Sequence, residues 1–179
     1  MKKSIIIGLF LLCAAVQLFL SVSMVIDREN ILRRGSLHKF HTEPVDPYDP
    51  FRGKYVALEI NGSVKTSDYM KYEEGEKVFV VLKKDADGFS SLSEIAERKP
   101  DGNDFIRLKI DQINNGEISF HIPFDRYYID EDYAEEAETA YWTGIGENSA
   151  YIEVRILKGR AVLRELFFAD KPVLDYLKS

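Results

Sequence analysis

Cysteine is nearly missing: Cys13 is the only one in 179 residues. A single thiol excludes any internal disulfide framework and any zinc site built from paired cysteines. Histidine is scarce too, and His38, His41 and His121 form no HExxH pattern. No GxSxG is present, so the nucleophile turn of the α/β-hydrolases is absent. Basic residues, at 24, fall short of 30 acidic ones. Nucleic acid is disfavoured as a partner, since affinity for phosphate backbones rests on clustered lysine and arginine. Charge disappears altogether from Ser4 to Ile26, and there the absence is itself the signal.

That run, SIIIGLFLLCAAVQLFLSVSMVI, has only Gln17 as a strongly polar residue. As a helix it reaches ~34 Å, enough to cross a ~30 Å hydrocarbon core. A cleaved signal peptide would have a shorter apolar core of about 7–15 residues, although Ser21-Val22-Ser23 loosely offers an exit site. An uncleaved signal-anchor is the preferred reading. Phe10-Leu11-Leu12 lacks the small residues that lipidation of Cys13 would need, so Cys13 reads as a membrane-embedded thiol. Lys2 and Lys3 before the run orient the helix with its N-terminus in the cytoplasm. Arg33 and Arg34 beyond it weaken that bias slightly and are diluted by neighbouring acids. Without Lys2 and Lys3, the rest of the chain has 22 basic against 30 acidic residues, a net charge of −8. The excess acid suits solubility, or repulsion from an anionic membrane surface.

Beyond the anchor (1–26) and a stalk or helix continuation (27–35), the segment 36–179 alternates like strands. KYVALEI sets Val56, Leu58 and Ile60 on one face. KVFVVLKK is apolar on both faces and reads as a central strand. DFIRLKI and EISFHI flank Asn114-Asn115-Gly116 as one hairpin, and YIEVRIL and AVLRELFF flank Lys158-Gly159 as another. DEDYAEEAETAYW has a helical spacing, with Tyr133, Ala137 and Tyr141 on one stripe, Asp130 or Asp132 as cap and Gly144 at its end. SLSEIAERKP suggests a further helical turn stopped by Pro100. The expected fold is mainly β: an N-terminal transmembrane helix, then an antiparallel barrel- or sandwich-like domain with one inserted helix.

Pro44-Val45-Asp46-Pro47, followed by Arg52-Gly53-Lys54-Tyr55-Val56-Ala57-Leu58-Glu59-Ile60, resembles the membrane-anchored GDYXXLXL proteins of bacteria, whose name spells the motif. The likeness extends to the apolar run, Gly35, Tyr127-Tyr128, the helix with Glu131 and Glu138, and the hairpin around Gly159. Lys54 stands where that family has aspartate, and Ile60 replaces the last leucine. The first change reverses a charge and removes support for any role resting on that acid. The resemblance implies placement at a membrane rather than a chemistry.

Other constellations compete with structural readings. Asp46 and Asp49, with Glu43, supply oxygen ligands of the kind Ca²⁺ takes, but no Asx-rich calcium loop surrounds them. Pro47 and Pro50 instead fix the backbone, with the aspartates capping turns. The histidines read as surface residues. Ser36 with Lys54 is the pairing for a Ser-Lys peptidase, yet a catalytic lysine needs desolvation that Lys54, beside Arg52, lacks. Glu131, Glu135, Glu136 and Glu138 lie near aromatic residues as in a glycosidase pair, against the plainer reading of a solvated helix face. Arg52 is suited to fork onto Asp46 or Asp49 and pin the loop.

These readings converge on a bitopic protein of the cytoplasmic membrane with an extracytoplasmic binding or assembly domain and a membrane or envelope protein as partner. No catalytic residue, metal or cofactor is assigned. The binding or structural motif is Asp46, Asp49, Arg52, Gly53, Lys54, Tyr55, Leu58 and Ile60. The candidate groove is Tyr127, Tyr128, Glu131 and Glu138. An envelope hydrolase, carboxylate-based or Ser-Lys, is the alternative.

Overall fold

A computed structural model describes residues 2–44, 55–60, 62–102, 104–143 and 150–178. Asp46, Asp49, Arg52, Gly53, Lys54 and Gly144 therefore lie outside the described residues.

Helix α1 (Lys2–Arg34) is uninterrupted and includes the whole apolar run. Its most apolar 18 residues have a mean hydropathy of 2.7 and none is buried. By length and composition it is able to cross a membrane. The segment expected as a stalk is the last part of this helix. There Ile31 is buried, and the Gly35 N–H closes the helix on the Ile31 carbonyl at 2.8 Å.

The chain then alternates through β1 (Ser36–His41), β2 (Glu43–Pro44), β3 (Tyr55–Glu59) and β4 (Ser63–Lys65). A 3-10 turn at Tyr69–Lys71 leads into β5 (Lys77–Lys84), β6 (Ser90–Ala96), β7 (Phe105–Asn114), β8 (Glu117–His121) and β9 (Arg126–Tyr128). Helix α2 (Glu131–Thr143) precedes β10 (Ala150–Leu157), β11 (Arg160–Phe168), β12 (Lys171–Pro172) and the short α3 (Val173–Leu177). All ladders between these strands are antiparallel, in the orders β1-β10-β11-β12, β2-β3-β9 and β4-β8-β7-β5-β6. Isolated bridges Lys39–Phe89 and Ile106–Gly159 join the first sheet to the third. The result approaches a barrel around one continuous core, to which all three sheets, α2 and α3 contribute.

Both expected hairpins form. Asn115 and Gly116 have φ of 46° and 88°, and Lys158 and Gly159 have 53° and 82°, as two-residue turns with both central residues left-handed require. KVFVVLKK is β5, paired on both sides, with Val78, Val80 and Leu82 buried.

Three expectations are corrected. SLSEIAERKP does not turn as a helix; most of it belongs to β6. Leu82 pairs with Leu92 while Val81 pairs with Glu94, so Ser93 is an extra residue in the ladder. The bulge lets Leu92 and Ile95, three apart, face the core together, which mimics helical spacing. In α2 the buried stripe is Ala134, Ala137 and Tyr141, with Tyr133 half-buried at its edge. Asp130 caps this helix, its carboxylate accepting from the Asp132 N–H at 3.4 Å. Third, His38 is not a surface residue: it is 1% exposed. Its Nδ1 lies 2.9 Å from Ser90 Oγ, and Nε2, 3.5 Å from the Asp104 carboxylate, has no hydrogen-bond partner among the described residues. His41, stacked on Phe89 at 3.7 Å, and His121 are exposed as expected.

Candidate functional site

The described part of the motif lies in the β2-β3-β9 sheet. Val56 and Leu58 point into the core at 2% and 5% exposure, and Ile60 is half-buried against it. Glu43 pairs with Glu59 and Pro44 with Leu58, so β2 and β3 form a hairpin whose connection is the segment 45–54. Tyr55 faces away from Val56 and Leu58. It pairs with Tyr128 of β9, their rings 6.1 Å apart, and the Arg126 guanidinium lies 5.1 Å over the Tyr55 ring. The motif tyrosine and the Tyr127-Tyr128 pair, far apart in sequence, thus meet on one sheet.

Beside them runs a groove of about 440 Å³ between α1, β9 and β11. Arg28, Arg126 and Arg164 line it, with Asp125 as the only lining carboxylate among the described residues; Tyr127, Tyr128 and Leu163 form part of its walls. Each arginine arrives differently. Arg28 projects from α1 two residues beyond the apolar run. Arg126 precedes the tyrosine pair and lies 3.9 Å from Asp125; the neighbouring Tyr128 hydroxyl and the nearby acid hold its charge more firmly than usual. Arg164 is the extra residue of a bulge, since Glu153 pairs with Glu165 but Val154 pairs with Leu163. The bulge brings Arg164 within 3.0 Å of Glu153, which relieves two glutamates facing each other across the ladder. Glu165 accepts from the Tyr127 hydroxyl at 2.5 Å. Burial and this carboxylate push the Tyr127 hydroxyl well above the ordinary tyrosine range, so it stays a donor.

Glu131 and Glu138 do not line this groove. They belong to α2, whose outer face has its own shallow depression of about 500 Å³ beside Asp132, Glu135 and Glu136. Ile60 and Glu59 border another hollow, about 450 Å³, with His41 and Glu43. Among the described residues no group of three or more histidine, cysteine, aspartate or glutamate side chains is arranged to hold a metal. Ser36 is a regular β1 residue opposite Ile156, and its proposed partner Lys54 is outside the described residues.

Sequence reasoning named Tyr127 and Tyr128 but missed all three arginines. Arg126 adjoins the tyrosine pair and Arg28 follows the apolar run, so both were within reach. Arg164 was not, because its direction depends on a bulge.

The groove joins to α1 through the β10–β11 hairpin. Arg160 forks onto both carboxylate oxygens of Asp27, the Nη2–Oδ1 bond measuring 2.7 Å. Arg155 donates to the Gly35 carbonyl at 3.0 Å and so caps the helix end. A Cβ on Gly35 would lie 2.6 Å from the Ile31 carbonyl and 3.0 Å from the Ile156 backbone, which explains glycine at this junction.

A family model described as GDYXXLXY protein matches residues 17–166. Its spelled motif ends in tyrosine where this chain has Ile60, rather than the leucine expected above, and has aspartate where Lys54 stands. No curated protein and no solved structure matches the chain.

Proposed function

The chain belongs to the GDYXXLXY protein family, and from that premise we propose that it is a single-pass membrane protein of the bacterial envelope whose β-rich domain serves binding or assembly. Lys2 and Lys3 favour the orientation with the N-terminus in the cytoplasm and the domain outside. The observation that carries the reading is the junction. An apolar helix long enough to span a bilayer runs without a break into a domain that buries its Ile31 and pairs its Asp27. A domain fastened in this way stays within a few ångströms of the membrane surface. Confinement there raises the effective concentration of neighbouring membrane proteins, so weak contacts suffice for association.

The test is crosslinking in cells from photoreactive residues at Met70, Tyr128 and Trp142, exposed large side chains of the domain. A discrete product containing another membrane or envelope protein is expected. Recovery of the uncrosslinked chain from all three positions would remove the support for this reading.

A further inference from the structure

Three arginines from three different elements converge on one groove in a chain whose acids outnumber its bases 30 to 24. Like charges gathered together repel one another, and Glu153 on Arg164 and Asp125 near Arg126 offset only part of that repulsion. Their present contacts leave capacity for an anion. A guanidinium has five N–H donors. Arg164 uses one on Glu153, and Arg126 has Asp125 only loosely placed at 3.9 Å. Arg28 is exposed and pairs with no described residue.

The depth of the groove indicates where the anion comes from. Arg28 is two residues past Ile26, about 3 Å along the helix axis. The polar layer outside the hydrocarbon core is about 5–7 Å thick on each side. When α1 spans a bilayer, Arg28 therefore lies among the lipid headgroups. Tyr128, 69% exposed, is the kind of side chain enriched at that level, with an apolar ring and a polar tip. Leu163 adds an apolar wall against which glycerol and the first acyl carbons can rest.

We propose that the groove formed by Arg28, Arg126, Arg164 and Tyr128 binds the phosphate of an anionic glycerophospholipid from the leaflet surrounding the C-terminal end of the apolar run. The inference deepens the membrane-anchored reading above and rests on it. The lipid phosphate takes donors from guanidinium groups in bidentate fashion, and the ring of Tyr128 lies over the glycerol region. Such a lipid would orient the domain as well as bind it, because one contact comes from the helix and two from the sheets.

Full-length protein in neutral detergent, titrated with phosphatidylglycerol or phosphatidylcholine and read by native mass spectrometry, tests the site. The first phosphatidylglycerol is expected to bind about tenfold more tightly than phosphatidylcholine. Arg28→Gln and Arg126→Gln should each weaken phosphatidylglycerol about fivefold, in line with one basic side chain near a lipid surface. Arg28 is exposed and pairs with no described residue, so its replacement leaves the fold intact. Lys65→Gln, on β4 and remote from the groove lining, should change nothing. Equal affinity for the two lipids would overturn the proposal, as would an equal loss in the Lys65 variant. Displacement of the lipid by millimolar inorganic phosphate would assign the groove to a soluble anion instead. If lipid selectivity is absent while a partner crosslink persists, only the lipid site falls. A mature chain lacking residues 1–23 would overturn both.

Discussion

His38 illustrates how one side chain couples the fold to pH. Burial and the nearby Lys84 ammonium lower its pKa below the usual 6.5, against a smaller upward pull from Asp104. The folded protein therefore holds the proton less well than the unfolded chain. Its contribution to stability is complete above about pH 6.5 and is lost as the pH falls through the folded value. Thermal melts between pH 7.5 and 5 should show a steeper fall for the native chain than for His38→Gln; parallel slopes would rule His38 out as the source. Nothing in the sequence around His38 signals this burial. Alternation set Leu37 and Lys39 apart from His38, but which side was core depended on Ser90, fifty-two residues away. Gly159 is a different case, legible because Lys-Gly between two alternating runs announces a turn. Its second constraint was hidden: a Cβ there would lie 2.7 Å from the Phe105 ring. Gly159→Ala therefore combines strain at φ 82° with overpacking, and should cost about 2 kcal/mol or more, read as a lower urea midpoint.

Between elements, the junction of α1 with the β10–β11 hairpin shows which contact dominates. The Asp27–Arg160 pair has side chains 43% and 55% exposed, so water screens it and its value is about 1 kcal/mol or less. Ile31 is 3% exposed, and truncating such a side chain typically costs about 2–5 kcal/mol. Urea unfolding should accordingly separate Ile31→Ala, strongly destabilised, from Asp27→Asn, nearly neutral. The opposite order would mean that the ion pair, rather than the buried isoleucine, holds the helix to the domain. Elements were most readable where a period ran unbroken, as in the hairpins on either side of Gly116 and Gly159. They were least readable at bulges. Ser93 and Arg164 each insert one residue into a ladder, and in each case the pattern beyond the insertion changes face without any composition signal.

For the molecule as a whole, the absence of disulfides leaves the core to do the stabilising, and that core is continuous across three sheets and two helices. The last turns of α1 pack beside it, against β10 and β11, and bury Ile31 there. A soluble fragment starting at residue 27 should melt at a higher temperature than one starting at residue 36, because the shorter fragment uncovers the surface that Ile31 occupies and loses the Arg160 partner. Equal melting temperatures would show that the helix end is dispensable to the domain. The barrel-like β architecture and the single inserted helix were readable from strand alternation and turn residues. The groove was not, since it is assembled from residues 28, 126–128 and 164, and only folding brings those three places together.

The uninterrupted helix up to Arg34 has a geometric consequence. An α-helix advances about 100° for each residue and 1.5 Å along its axis. With no loop between the apolar run and the domain, the compass bearing of the groove relative to each face of the span is set by residue number alone. One alanine inserted after Ile26 would turn that bearing by about 100° while raising the domain by only about 1.5 Å. A neighbour that touches both span and groove can thus approach from one azimuth only, and the chain behaves as a keyed shaft rather than a tethered float.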